Sequence, residues 1–224
     1  MIVAIHQPNY LPWLGFFYKL LHCDIFVLQG MVEYTSGITN RCKIKTSQGE
    51  KWLTIDVSHK ITSINEMKVA TSKWRRIHEK TLQVNYGKAP YFKNYSSLFH
   101  NVYSEKWNNI AQVNEAFIRL ICTLLGVGAK IVLDSDLNVS GNKTELIINI
   151  CKAVGGDTYL SGFGGKKYMD EKLFLENNIE LKYSDFKHPV YNQLWGKFVP
   201  NMSIVDLLFN EGSRSLNILR CANG

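Results

Sequence analysis

Ile2-Val3-Ala4-Ile5-His6-Gln7-Pro8-Asn9-Tyr10-Leu11-Pro12-Trp13-Leu14-Gly15 opens the chain and carries the first unit of its fold. Residues 2–5 form an uninterrupted apolar run of strand length. A polar loop stiffened by two prolines follows, and residues 16–21 are an apolar run of helical length. Asp24-Ile25-Phe26-Val27-Leu28 reads as a second strand, parallel to the first. Strand, loop, helix, strand is the opening unit of an α/β domain. Ligands in such sheets sit beyond the carboxyl ends of the strands, so the loop is expected to wall a binding site.

Outward from this unit, Arg41-Cys42-Lys43-Ile44-Lys45 and Trp52-Leu53-Thr54-Ile55-Asp56-Val57 flank Ser47-Gln48-Gly49. They predict a hairpin within residues 31–60, with a loop longer than the tightest turns and its basic residues on one face. Helices are expected over 74–84, from 91 to about 103, and over 110–125. The last carries Val113, Phe117, Leu120, Ile121 and Leu124 at three- and four-residue spacing and is stopped by Gly126. Residues from about 73 to 125 therefore read as a helical insertion.

The α/β rhythm then returns. Strands are expected at 129–133, 158–160 and 180–183, and a helix near 170–177. Another helix starts around 141–144, with Leu146, Ile147, Ile150 and Val154 as its apolar face. Ser203 reads as an N-cap, with Asp206 at the third helical position in a short relative of the capping box. The expectation is a single α/β domain over 1–224. It is a Rossmann-like, mostly parallel sheet of about five strands, with a β-hairpin and a helical insertion.

Composition narrows the class. The chain has 224 residues, 46% hydrophobic and 20% charged, which suits a soluble domain able to bury a core. It contains no apolar run of about 18 residues, so no membrane span is expected. No signal peptide is read either, and a cytoplasmic protein is expected. The five cysteines are scattered, without Cys-x-x-Cys or Cys/His ligand spacing, so neither a disulfide framework nor a metal site is predicted. Twenty-six Lys and Arg against 19 Asp and Glu give a net charge of +7. That excess suits a phosphorylated small molecule in a positive cleft. Nucleic acid is the lesser reading, because no RNA- or DNA-binding motif is present.

Candidate site residues gather at the strand ends. His6 follows the first strand, where it can act as a general acid or base, or as a hydrogen-bond donor to phosphate. The alternative is a histidine bonded to a neighbouring loop. Gln7, Asn9 and Tyr10 could read a base or sugar, whereas Trp13 more simply anchors the first helix. Ser161-Gly162-Phe163-Gly164-Gly165-Lys166-Lys167 is a glycine-rich turn after a strand, suited to phosphate. It matches neither a Walker loop nor a dinucleotide fingerprint, and a plain turn with solvated lysines is the alternative. Asn40, Arg41 and Lys43 on the hairpin could clamp an anion or only protect a sheet edge.

His-Gln-Pro-Asn-Tyr-Leu-Pro-Trp-Leu-Gly-Phe-Phe at 6–17 resembles the opening signature of the WbqC-like family of bacteria. The likeness continues through Tyr34, Asn40-Arg41-Cys42-Lys43-Ile44-Lys45 and Trp52-Leu53-Thr54. It returns at Tyr159-Leu160-Ser161-Gly162 with Tyr168, at Pro189-Val190-Tyr191-Asn192-Gln193-Leu194, and at residues 203–212. Members are often encoded in O-antigen and other surface-polysaccharide gene clusters. The resemblance therefore implies a cytoplasmic tailoring enzyme, a transferase moving an acyl or aminoacyl group onto a nucleotide-linked amino sugar.

His6 would be its base. Gln7, Asn9, Tyr10, Asn40, Arg41, Lys43, Ser161, Gly162, Gly164, Lys166, Tyr168, Tyr191 and Gln193 would hold the substrate. The donor could be an acyl or aminoacyl group or ATP, no metal is expected, and a homo-oligomer is possible. Two other classes stay open: an ATP-using nucleotidyl-transfer or amide-forming enzyme, and a non-catalytic nucleotide-sugar-binding or scaffold protein. The resemblance also places an acidic pair after the second strand, where this chain has Gly30-Met31. The opening is similar to that of nucleotidylyltransferases too, but the second histidine of their His-x-Gly-His-like loop is missing from Pro12-Trp13-Leu14-Gly15.

Overall fold

The computed structural model describes residues 1–58 and 61–223. The last two positions of the expected hairpin region, 59 and 60, lie outside the described residues. The elements run β1 (Ile2–His6), α1 (Leu14–Leu21), β2 (Ile25–Leu28), β3 (Arg41–Thr46), β4 (Gly49–Thr54), α2 (Lys73–Tyr86), α3 (Phe92–Ser104) and α4 (Ile110–Leu125). They continue as β5 (Lys130–Leu133), α5 (Lys143–Ala153), β6 (Thr158–Ser161), α6 (Glu171–Glu176), β7 (Glu180–Tyr183), α7 (Ile204–Glu211) and α8 (Ser215–Arg220).

Five strands form one parallel sheet in the order β5-β2-β1-β6-β7. β3 and β4 make a separate antiparallel hairpin. β1 lies at the centre of the sheet, and alternation along it divides the interior in two. Ala4, with Phe26 and Leu28 of β2, faces a large core built with α1, α4 and α7. Val3 and Ile5, with Ile25 and Val27, face a smaller core made with α5 and α6. Both faces are covered, which is why these strands are apolar throughout rather than alternating.

α4 starts on Asn109, whose side chain accepts the Gln112 N–H, and ends on Gly126 at φ 65°. Only glycine takes that left-handed cap without strain.

Three expectations are corrected. The hairpin loop is the tightest kind: Thr46 pairs with Gly49 across Ser47-Gln48. Gly49, at φ 102°, belongs to the strand and not to the turn. The basic residues of β3 do lie on one face, Arg41 and Lys43 both over the Trp52 ring, but they differ in burial. Arg41 is exposed, but Lys45 is buried and donates to the Lys197 carbonyl at 2.5 Å. In α5 the buried residues are Thr144, Ile148, Ile150 and Cys151, with Leu146, Ile147 and Val154 only half-buried. Asp206 is not part of a cap. Its carboxylate accepts from the hydroxyls of Tyr86 and Tyr191 and from Gln193 Nε2, each at 2.8 Å. α8 was not expected from the sequence.

Candidate functional site

The loop after β1 doubles back sharply, with Leu11 at φ 39°, a conformation that a side chain disfavours. The start of α7 holds it there. The Ser203 hydroxyl donates to the Leu11 carbonyl and the Ile204 N–H to the Pro12 carbonyl, both at 2.8 Å. Trp13 then leaves the loop with its indole across Gly15, where a β-carbon would press into the ring. The same ring meets Phe186 edge-on at 5.2 Å. Trp13 is therefore not a core anchor; it is 37% exposed and forms a wall shared by two clefts.

The first cleft, of about 380 Å³, opens beyond the carboxyl ends of β1 and β6. His6, Lys19, Ser161 and the glycines 162, 164 and 165 line it with Trp13, Tyr168 and Phe186. His6 Nδ1 lies 2.9 Å from the Gln7 carbonyl, so the proton sits on Nδ1 and Nε2 keeps a free lone pair. Burial, and then the neighbouring Lys19 charge, lower the His6 pKa to about 4, against the opposing effect of the Gln7 carbonyl. The imidazole is neutral at pH 7 and a weak base.

Lys19 is 5% exposed, and its Nζ donates to the Ile5 carbonyl at 3.1 Å. It makes no ion pair among the described residues. Burial brings its pKa down to about 8. The glycine-rich stretch folds as a tight 3₁₀ turn, with the Gly165 N–H spent on the Gly162 carbonyl at 2.9 Å.

The second cleft, of about 290 Å³, lies between the opening loop and the hairpin. Arg41, Lys43 and Trp52 line it with Asn9, Trp13 and Ser203. Lys43 and Trp52 are directly paired across the hairpin. The Arg41 guanidinium lies 4.4 Å from the centre of the Trp52 ring, a cation–π contact. Lys43 is neutralised by Glu50 at 2.6 Å, whereas Arg41 makes no ion pair among the described residues. Asn9 is 1% exposed, and its Oδ1 has no hydrogen-bond partner among the described residues.

The structure thus brings His6 together with Ser161, Gly162, Gly164 and Tyr168, and Asn9 together with Arg41 and Lys43, but in separate clefts. The other candidates are engaged elsewhere. Tyr10 borders the second cleft, but its ring is buried in an aromatic cluster, its hydroxyl bonded to His78 Nδ1 at 2.9 Å and the Tyr103 hydroxyl at 2.8 Å. Asn40 clamps the hairpin base through the Ile55 carbonyl and the Gly37 N–H. Tyr191 and Gln193 are spent on Asp206. Lys166 lies over the rings of Phe163 and Tyr183, outside the cleft lining. Gln7 contributes its carbonyl to His6 and lines neither cleft.

Lys19 and Trp52 are lining residues that sequence reasoning did not single out. Lys19 is the one charged residue within the apolar run 14–21, which was the signal for it. Trp52 could have been suspected from its place opposite Lys43. Among the described residues no His, Cys, Asp and Glu side chains gather in threes that could hold a metal ion. No helix there is long and apolar enough to cross a membrane.

The model of the WbqC-like protein family matches residues 7–218, from the opening loop to α8. The chain belongs to the WbqC-like family. It is 34% identical over 224 residues to the uncharacterized protein Rv1507c of Mycobacterium tuberculosis, with 97% of each chain covered. No solved structure matches it significantly.

At Gly30-Met31, where an acidic pair was expected from the resemblance, the backbone meets a carboxylate from elsewhere in the chain. The N–H groups of Gly30 and Met31 both donate to the Asp134 carboxylate, each at 3.0 Å. A side chain at position 30 would collide with Asn65. In this member a carboxylate from the end of β5 stands beside the end of β2, and Asn65 occupies the space of a side chain at 30.

Proposed function

We propose that this WbqC-like protein is a transferase of bacterial surface-polysaccharide biosynthesis, acting in the cytoplasm on a nucleotide-linked amino sugar. The nucleotide lies in the hairpin cleft, with its ring against Trp52 and Trp13 and its phosphates on Arg41, the lining cation that Glu50 does not neutralise. The sugar passes over Trp13 into the His6 cleft, where an acyl or aminoacyl group is added. His6 Nε2 accepts the proton that the sugar amine loses as it attacks the acyl carbon, and the leaving group departs with the acyl carbon's bonding pair. The observation that carries the reading is Trp13 itself, a ring shared between a cationic, aromatic cleft and one holding a histidine with a free lone pair.

Calorimetric titration with a panel of uridine and thymidine diphosphate sugars tests it. Binding is expected, weakened about tenfold or more by Arg41→Ala or Trp52→Ala, the loss of one charged contact being worth roughly 1.5–3 kcal/mol. No binding across the panel, or binding indifferent to both changes, overturns the reading. A second reading, a binding protein without chemistry, is favoured by the weak basicity of His6. The His6→Ala variant separates the two: the transferase keeps nucleotide-sugar binding and loses transfer, whereas the binding protein shows no transfer in either form.

A further inference from the structure

We infer that Lys19 is the counter-charge for an anionic oxygen group, a carboxylate or a phosphate, that enters the His6 cleft with the second substrate. The inference deepens the proposed function, on whose assignment of the reaction cleft it rests, by naming the chemistry of the donor. Lys19 stands on α1 under the cleft, 95% removed from solvent by its 5% exposure, with one carbonyl as its hydrogen-bond partner. An ammonium has three protons to donate, so two remain for a ligand.

A buried charge without a partner is destabilising, and a ligand anion that pairs with it offsets that cost. Among the described residues the cleft lining contains no Asp or Glu that could serve instead. Among the described residues the one cation in its lining is Lys19, and the other polar side chains are the neutral His6, the Trp13 indole and the hydroxyls of Tyr159, Ser161, Tyr168 and Ser184. The cleft is a carboxylate-free cavity around a buried ammonium with protons to spare, which is complementary to an oxyanion.

Binding has a consequence for His6. The Lys19 charge is one of the causes that hold the imidazole neutral and weakly basic. An anion on Lys19 offsets that charge and strengthens Nε2 as a base while the donor is in place. Occupancy of the cleft and readiness for proton transfer are thereby coupled.

The test is a titration of the whole chain with sodium phosphate and, separately, with sodium acetate, against sodium chloride at matched ionic strength. Carbon-13 NMR of the His6 imidazole and the Lys19 ε-methylene reads it. Saturable shifts of both resonances are expected with at least one oxyanion and not with chloride, and the responding anion identifies the group as carboxylate or phosphate. Lys19→Met should abolish the His6 response and Lys19→Arg should retain it, while Arg41→Ala, in the other cleft, should leave it unchanged. No saturable shift in the wild-type protein, or an equal His6 response in Lys19→Met, overturns the inference. The wild-type Lys19 resonance decides alone if the methionine variant does not fold. Failure of nucleotide-sugar binding would leave this result standing, so the two readings fail separately.

Discussion

A lysine at 5% exposure with a single carbonyl partner weakens the fold that contains it. Its folded pKa, near 8, lies below the ordinary value of 10.5. Above about pH 10.5 the amine is neutral in both states and burial carries no charge penalty. As pH falls through 8 the unfolded chain already holds the proton, and the full penalty is present at neutrality. Lys19→Met should therefore stabilise the protein at pH 7, by up to about 3 kcal/mol from the linkage relation. The gain should shrink as pH rises towards 10.5. Denaturant melts of both proteins across that range check it, and equal stabilities at pH 7 would refute it.

Single-residue roles were the least legible part of the sequence. Tyr10, Asn40, Tyr191 and Gln193 carry the hydrogen-bonding groups of a binding site, and their partners, from His78 and Tyr103 to Asp206, are brought to them only by folding. Lys19 escaped notice for the opposite reason: it is surrounded in sequence by residues that belong in a core.

Elements were easier to read, because periodicity and end signals are local. The central strands, α4 with its glycine cap, and the glycine-rich turn lie where apolar runs and Gly residues place them. The departures have local causes too. Gly49 looks like a turn residue but pairs with Thr46 as the first residue of β4. The buried face of α5 is wider than its periodicity suggests: Ile148 and Cys151 join Ile150 at its centre, and Leu146, Ile147 and Val154 pack at its margin. The junction of β2 with the following segment yields a prediction. Gly30→Asp should destabilise the protein, since the new side chain meets Asn65 and also sets a second carboxylate beside Asp134. A loss of about 1–3 kcal/mol is expected from overpacking. Adding Asn65→Gly should recover part of it, so that the two changes are not additive in chemical denaturation. Strict additivity would show that Asn65 is not the obstacle.

For the whole molecule, the charge balance and the strand order matter more than any one contact. A net charge of +7, with Arg41 at the mouth of the hairpin cleft, attracts an anionic nucleotide beyond the contacts it finally makes. Raising salt shortens the Debye length from about 10 Å at 0.1 M towards 3 Å at 1 M. Nucleotide-sugar affinity should fall accordingly, with a shallower dependence in Arg41→Ala; a salt-independent dissociation constant would count against the charged cleft. The order β5-β2-β1-β6-β7 has a further consequence, in time rather than in space. β1 starts at residue 2 and finds β2 at residue 25, but its other neighbour, β6, starts at residue 158. At the roughly 5–20 residues per second of protein synthesis, that edge of β1 stays open for roughly 8–30 s after it is made. Throughout that interval Ile2 and Val3 offer the nascent chain's neighbours the pairing groups that Thr158 and Tyr159 will take. The middle of the finished sheet is thus, during synthesis, an exposed edge open to a chaperone or to a second copy of the chain.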